Sequence, residues 1–244
     1  AEYGIAYDGP PVVRRTTVQV EPGRSVSALR WGHDEPEIVL VHGGSQNAHT
    51  WDTVALALDR PAVAIDLPGH GHSDWRDDGR YDPVTLAGDL AEAVTTLAPI
   101  PPLVVGMSLG GLTSTVLAAR FPELVRSLVI VDITPGVNRQ KAKAVIDFVS
   151  GPQRFASFDE LLARTMEHNP TRSESSLRRG ILHNARQLDD GSWEWRYDRR
   201  GHARTSDGDA SEQDAVADSA PDEMSASPLW DDLAAIECPT LLVR

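Results

Sequence analysis

The stretch Gly106-Met107-Ser108-Leu109-Gly110 sets a serine between two glycines at a spacing suited to acyl transfer. The apolar run Pro102-Leu103-Val104-Val105 before it reads as a short buried strand, and Gly111 to Ala119 after it reads as a helix. A serine on so tight a strand-to-helix turn has its hydroxyl pushed out above the sheet edge, where a base and a carbonyl carbon can reach it. The flanking positions are glycine because a side chain there clashes across the turn. Such a serine needs a base to take its proton, an acid to orient the base, and N–H donors for the oxyanion. Two donors are legible: the backbone N–H of Leu109 and that of Gly44, in the loop His42-Gly43-Gly44-Ser45.

These groups need a scaffold that brings several strand ends to one edge. Short apolar runs alternate with helical spacing, which predicts a mostly parallel sheet with helices on both faces. Thr16 to Val20 and Val26 to Trp31 form an opening antiparallel pair across Pro22-Gly23. Ile38-Val39-Leu40-Val41 leads into the Gly44 loop, Trp51 to Leu58 has helical spacing, and Val63 to Asp66 is the next strand. Asp82-Pro83 reads as an N-cap and first-turn proline opening a helix through Leu97. Leu128 to Asp132 is a further strand. From about Pro135 to Ser227 the alternation stops, and that segment reads as a helical cap insertion. Its helical pieces are Lys141 to Val149, Phe158 to Glu167 and Leu177 to Gln187, with an aromatic patch at Trp193 to Tyr197. Thr205 to Ser227 carries seven acidic residues and no basic one, the pattern of a solvated loop. The alternation resumes at Leu229, and Pro239 to Val243 is a strand.

Composition narrows the options. With 244 residues the chain can bury a sizeable core, and Cys238 is its single cysteine, so no internal disulfide forms. No apolar run approaches the ~20 residues of a membrane span, and no leader is evident. A cytoplasmic location is the expectation. A net charge of −13 repels a phosphate backbone, so nucleic acid is not an expected partner; a small-molecule substrate is. His70-Gly71-His72-Ser73-Asp74 has a superficial zinc-site look, but Trp75 stands where a further histidine would strengthen it. No P-loop or dinucleotide fingerprint is present. The expectation is therefore no metal and no cofactor.

Four motifs in order carry a resemblance. They are Val41-His42-Gly43-Gly44 with Trp51 downstream, Asp66-Leu67-Pro68-Gly69-His70-Gly71-His72-Ser73, the Gly106 to Gly111 turn, and Phe121-Pro122-Glu123 leading into Leu128 to Asp132. With the closing Ile236 to Val243 they make the chain resemble an α/β-hydrolase-fold enzyme of the small, capped, esterase-like kind. The resemblance implies core residues 1–134, a cap at 135–227, and a return to the core at 228–244 ending on the penultimate strand. The family's last strand and C-terminal helix are then expected beyond Arg244.

The resemblance also implies roles. Ser108 falls on the nucleophile position, and Gly44 and Leu109 on the oxyanion hole. The acid is Asp132, after the strand following the nucleophile, or a residue after the strand ending at Val243; Asp132 is favoured because it stands at a strand end on the same sheet edge as Ser108, where one histidine can reach both. The family's base histidine follows the last core strand and is expected outside this chain. The implied reaction is cleavage of an ester, thioester or lactone of a small apolar acid through an acyl-enzyme on Ser108. Carbon–carbon bond hydrolysis on the same residues, or ligand binding without catalysis, are the alternatives.

Overall fold

The computed structural model describes residues 4–5, 9–136, 147–149, 151–200 and 227–244. A seven-stranded sheet has the order β1-β2-β4-β3-β5-β6-β10. Its strands are β1 (Val13–Glu21), β2 (Arg24–Trp31), β3 (Ile38–Val41), β4 (Ala62–Ile65), β5 (Leu103–Met107), β6 (Ser127–Val131) and β10 (Thr240–Val243). The hairpin β1–β2 is antiparallel and meets β4 antiparallel, while β4, β3, β5, β6 and β10 run parallel. The hairpin turns at Gly23, whose φ of 81° suits a residue without Cβ.

The central strands β3 and β4 are buried at every position, as expected when both faces of a parallel sheet are covered. One face packs on α2 (Pro83–Leu97) and α3 (Leu109–Arg120), through Leu86, Leu90, Val94 and Leu117 among others. The other face packs on Trp51 and on α1 (Asp52–Leu58). The helix opening at Pro83 has its cap where the sequence predicts it: the Asp82 carboxylate accepts the Thr85 N–H at 2.9 Å. Arg24 and Asp89 form a buried ion pair at 2.5 Å that ties the hairpin to α2, and Arg76 adds a second bond to Asp89 at 2.8 Å.

Between β6 and β10 lie helices α4 (Phe158–His168) and α5 (Glu174–Asn184). To these expected helices the structure adds three short strands, β7 (Arg154–Phe155), β8 (Ala185–Gln187) and β9 (Trp193–Trp195), in the order β7-β9-β8. The helix predicted to reach Gln187 stops at Asn184. Ala185 turns extended (φ −129°, ψ 166°) and pairs with Trp195, so the last three residues join the aromatic patch as strand. Phe155, Leu161, Ile181, Trp195 and Tyr197 build an apolar cluster of the segment's own. Of the predicted helix Lys141 to Val149, residues 147–149 are helical and 141–146 lie outside the described residues; so do residues 205–226 of the acidic stretch. After it, α6 (Leu229–Ala234) is tied to α3 by Arg120 on Asp232 at 2.8 Å. No described helix is long and apolar enough to cross a membrane.

Candidate active site

The ends of β3, β5 and β6 converge at the carboxyl edge of the sheet, where open α/β sheets hold their ligands. Ser108 directly follows β5 and precedes α3, with φ 52° and ψ −122°. That left-handed conformation costs a residue with Cβ roughly 1–3 kcal/mol, so the surrounding contacts must enforce it. The glycines show how. A Cβ on Gly110 falls closer than 3.0 Å to the Val41 and His42 carbonyl oxygens, and one on Gly106 equally close to the Gly110 carbonyl. Backbone meets backbone at both positions, and the turn holds because no side chain intervenes. The result is an exposed Ser108 at a sharply held corner.

The Gly44 loop lies against this corner. A Cβ on Gly43 comes within 3.2 Å of the Ser108 Cβ, and one on Gly44 within 3.9 Å of a Leu109 methyl. The Gly43 N–H is bound to the Gln46 side chain at 3.1 Å, and the Ser108 N–H to the Val131 carbonyl at 3.2 Å. Among the described residues no acceptor takes the N–H of Gly44 or of Leu109. Leu109 opens α3, where the first N–H groups have no partner within the helix. Two unspent donors thus sit beside the serine, at the positive end of a helix dipole.

Asp132 follows β6, the strand next to β5, and is exposed at the same edge. It too has a positive φ, 54°, which aspartate tolerates better than most residues. Its N–H donates to the Val243 carbonyl at 2.7 Å. Ser108 and Asp132 are thereby linked through one peptide group, the Val131 carbonyl and the Asp132 N–H.

The histidines sort by their partners. His42 is fully buried; its Nδ1–H donates to the Gly43 carbonyl at 2.7 Å and its Nε2 accepts the Leu67 N–H at 2.9 Å. Burial pushes its imidazole below the ordinary pKa against the opposing pull of Asp66, and with both nitrogens committed it is a structural brace. His70 is buried with Nδ1 on the Pro68 carbonyl at 3.0 Å, and His168 holds the Arg164 carbonyl at 3.0 Å. His33 and His72 are exposed, and His202 lies outside the described residues. None of the described rings is hydrogen-bonded to Ser108.

Sequence reasoning missed the polar seam that joins the segment between β6 and β10 to this edge. Asn184, the last residue of α5, donates to the Ser45 carbonyl at 2.7 Å and accepts from Asn47 at 3.0 Å. His183 stacks on His49 with ring centroids 3.6 Å apart. The Tyr81 hydroxyl donates to the buried Asp198 carboxylate at 2.6 Å, and the Asp198 N–H to the Gly69 carbonyl at 2.8 Å. No local pattern marks these partners, because each pair is far apart in sequence.

Comparison with known proteins agrees with this architecture. A family model for the alpha/beta hydrolase fold matches residues 36–243. The chain is 45% identical over 226 residues to the esterase Rv0045c of Mycobacterium tuberculosis, covering 90% of this chain and 69% of that protein. It is 34% identical over 129 residues to 2-(acetamidomethylene)succinate hydrolase of Mesorhizobium japonicum, covering 52% of this chain and 46% of that enzyme. The crystal structure of the mycobacterial esterase superposes with a TM-score of 0.76 at 43% identity, over 97% of this chain and 74% of that one. The chain belongs to the α/β-hydrolase-fold family and is a hydrolase of its esterase-like kind.

Proposed function

We propose that the chain cleaves a carboxylic ester, thioester or lactone of a small apolar acid through an acyl-enzyme on Ser108. The observation that carries this reading is the corner itself: an exposed serine at φ 52° with the unspent N–H groups of Gly44 and Leu109 beside it. In this reading Ser108 Oγ attacks the carbonyl carbon as its proton passes to an imidazole. The carbonyl π electrons move onto oxygen, and the two N–H groups stabilise the resulting oxyanion. The tetrahedral intermediate collapses with departure of the alcohol or thiol, which takes the proton from the imidazolium. Water then repeats the sequence on the acyl-serine and frees the acid. Asp132 orients the imidazole and balances its charge. The reading requires a histidine between Ser108 and Asp132, which the family pattern puts after the last core strand.

Residues 135–227 are read as a cap over this edge. Support comes from the Asn184 grip on the Ser45–Asn47 loop, which anchors the segment next to Gly44. The half-buried Leu109 and Ile133 beside the corner favour an apolar acyl group over a charged one. The test is labelling of the full-length protein with a fluorophosphonate and hydrolysis of short-chain aryl esters. Ser108→Ala is expected to abolish labelling and to lower kcat by ~10⁴-fold or more. Equal labelling of parent and variant refutes the assignment.

A further inference from the structure

His49, Asp52 and His183 bring one ligand atom each to within 4.8 Å of one another, the one such three-residue group among the described residues. They come from two parts of the molecule. His49 and Asp52 lie in the 3₁₀ turn and first turn of α1, in the core, and His183 is the penultimate residue of α5, in the inserted segment. We propose that these three side chains bind one divalent transition-metal ion of the Zn²⁺ class, and that the ion clamps α5 onto the core beside the Gly44 loop.

Two imidazoles and one carboxylate are a donor set suited to Zn²⁺, with Zn–N and Zn–O of about 2.0–2.2 Å, leaving room for water. His49 Nδ1 lies 2.9 Å from Asp52 Oδ2, so the ring now donates a proton to the carboxylate. An ion entering there takes that proton's place between the same two atoms; the proton moves to Nε2, and the Arg15 guanidinium withdraws from that nitrogen. All three ligands are half-buried, which would shield the ion in part from bulk water.

Two features set the conditions. The rings stack at 3.6 Å and 17°, so their in-plane lone pairs cannot both meet one ion until one ring turns. His183 is the ring that turns, since among the described residues no hydrogen bond holds it. The Arg15 guanidinium reaches His49 Nε2 at 3.2 Å, and Arg179 also acts on His183. Both cations oppose the ion, whereas Asp52 attracts it, which makes the carboxylate indispensable and favours ions that bind nitrogen strongly over Mg²⁺ or Ca²⁺.

The test is calorimetric titration of untagged, chelator-treated full-length protein with Zn²⁺, and with Co²⁺ followed by visible absorption. One Zn²⁺ per chain and a Co²⁺ band of four- or five-coordinate intensity are expected. His183→Ala and Asp52→Asn should each weaken binding at least tenfold and dim the cobalt band, while His33→Ala, on an exposed loop, leaves both unchanged. Circular dichroism of each variant separates lost ligation from lost folding, and Asp52→Asn keeps the volume of the native side chain. Parent affinity in both folded variants, or a parent that binds no Zn²⁺ below millimolar concentration, overturns the proposal.

Discussion

The edge that carries Ser108 and the seam that carries the segment between β6 and β10 are built from opposite materials. At the edge, glycine backbone rests on carbonyl backbone, and the central strands β3 and β4 are apolar and fully buried. At the seam, side chains reach across between segments far apart in sequence: Asn184 bonds to the Ser45 carbonyl and to Asn47, Tyr81 bonds to Asp198, and His183 stacks on His49. Close backbone packing has essentially one arrangement. Polar side-chain contacts cost little to break when water can replace them. The reacting group is therefore held rigidly, and the segment beside it is held by bonds that solvent and protons can contest.

The sharpest way to break this contrast is Gly110→Ala. Its methyl group meets two backbone carbonyls, neither of which can move without shifting a strand end. A loss of roughly 3 kcal/mol or more is expected, seen as a melting temperature lowered by ~6–12 °C, with turnover lost as the corner opens. On the seam, Tyr81→Phe removes one donor from the buried Asp198. A loss of about 1.5–3 kcal/mol is expected, and faster amide exchange should be confined to residues near 195–200, with the Ser108 turn unchanged. If Tyr81→Phe loosens the Ser108 turn as much as the inserted segment, the two regions are one unit and the contrast fails.

Acid sharpens the comparison further. His183 is held below its ordinary pKa, so the folded state takes up its proton less readily than the unfolded one. Its contribution is complete above the unfolded value of ~6.5 and is lost as pH falls below it. Asp198 is also depressed: burial raises its pKa, but the bonds from Arg200 and Tyr81 outweigh this, so its tether persists until pH falls below ~4. Exchange at the end of α5 should quicken between pH 7 and 5, ahead of residues 195–200. His183→Phe keeps a stacking ring without a titratable nitrogen and should flatten that first step. His42 adds an acid-sensitive term in the same range, but with both its nitrogens engaged in the core it reports on global unfolding. The smallest effect is expected at Arg178 of α5, which pairs with Glu174 four residues away at 2.8 Å and lies over the Phe158 ring of α4 at 5.4 Å. Arg178→Ala should change stability by no more than ~1 kcal/mol.

Much of the edge was legible in the sequence because its determinants are local. Gly106 and Gly110 bracket Ser108 within one turn, Asp82-Pro83 announces α2, and the apolar run Ile38 to Val41 announces the strand feeding the Gly44 loop. The seam was not legible. Strands β8 and β9 have three residues each, too short for alternation to register, and Ala185 to Gln187 continues the spacing of the helix before it. His49 and His183 were both visible as histidines, yet nothing near either one points to the other. Only the return of α5 across the sheet edge brings them together.

The peptide group between Val131 and Asp132 has one further consequence. Its carbonyl takes the Ser108 N–H, and its own N–H goes to Val243. One rigid plane thus acts as a gauge block, setting the distance from the serine to the neighbouring strand end on one side and to β10 on the other. A slip of β10 against β6 would tilt that plane and alter the reach of Ser108, although β10 is two strands away from β5. Tolerance at the reacting atom is in this way inherited from strand register two positions away.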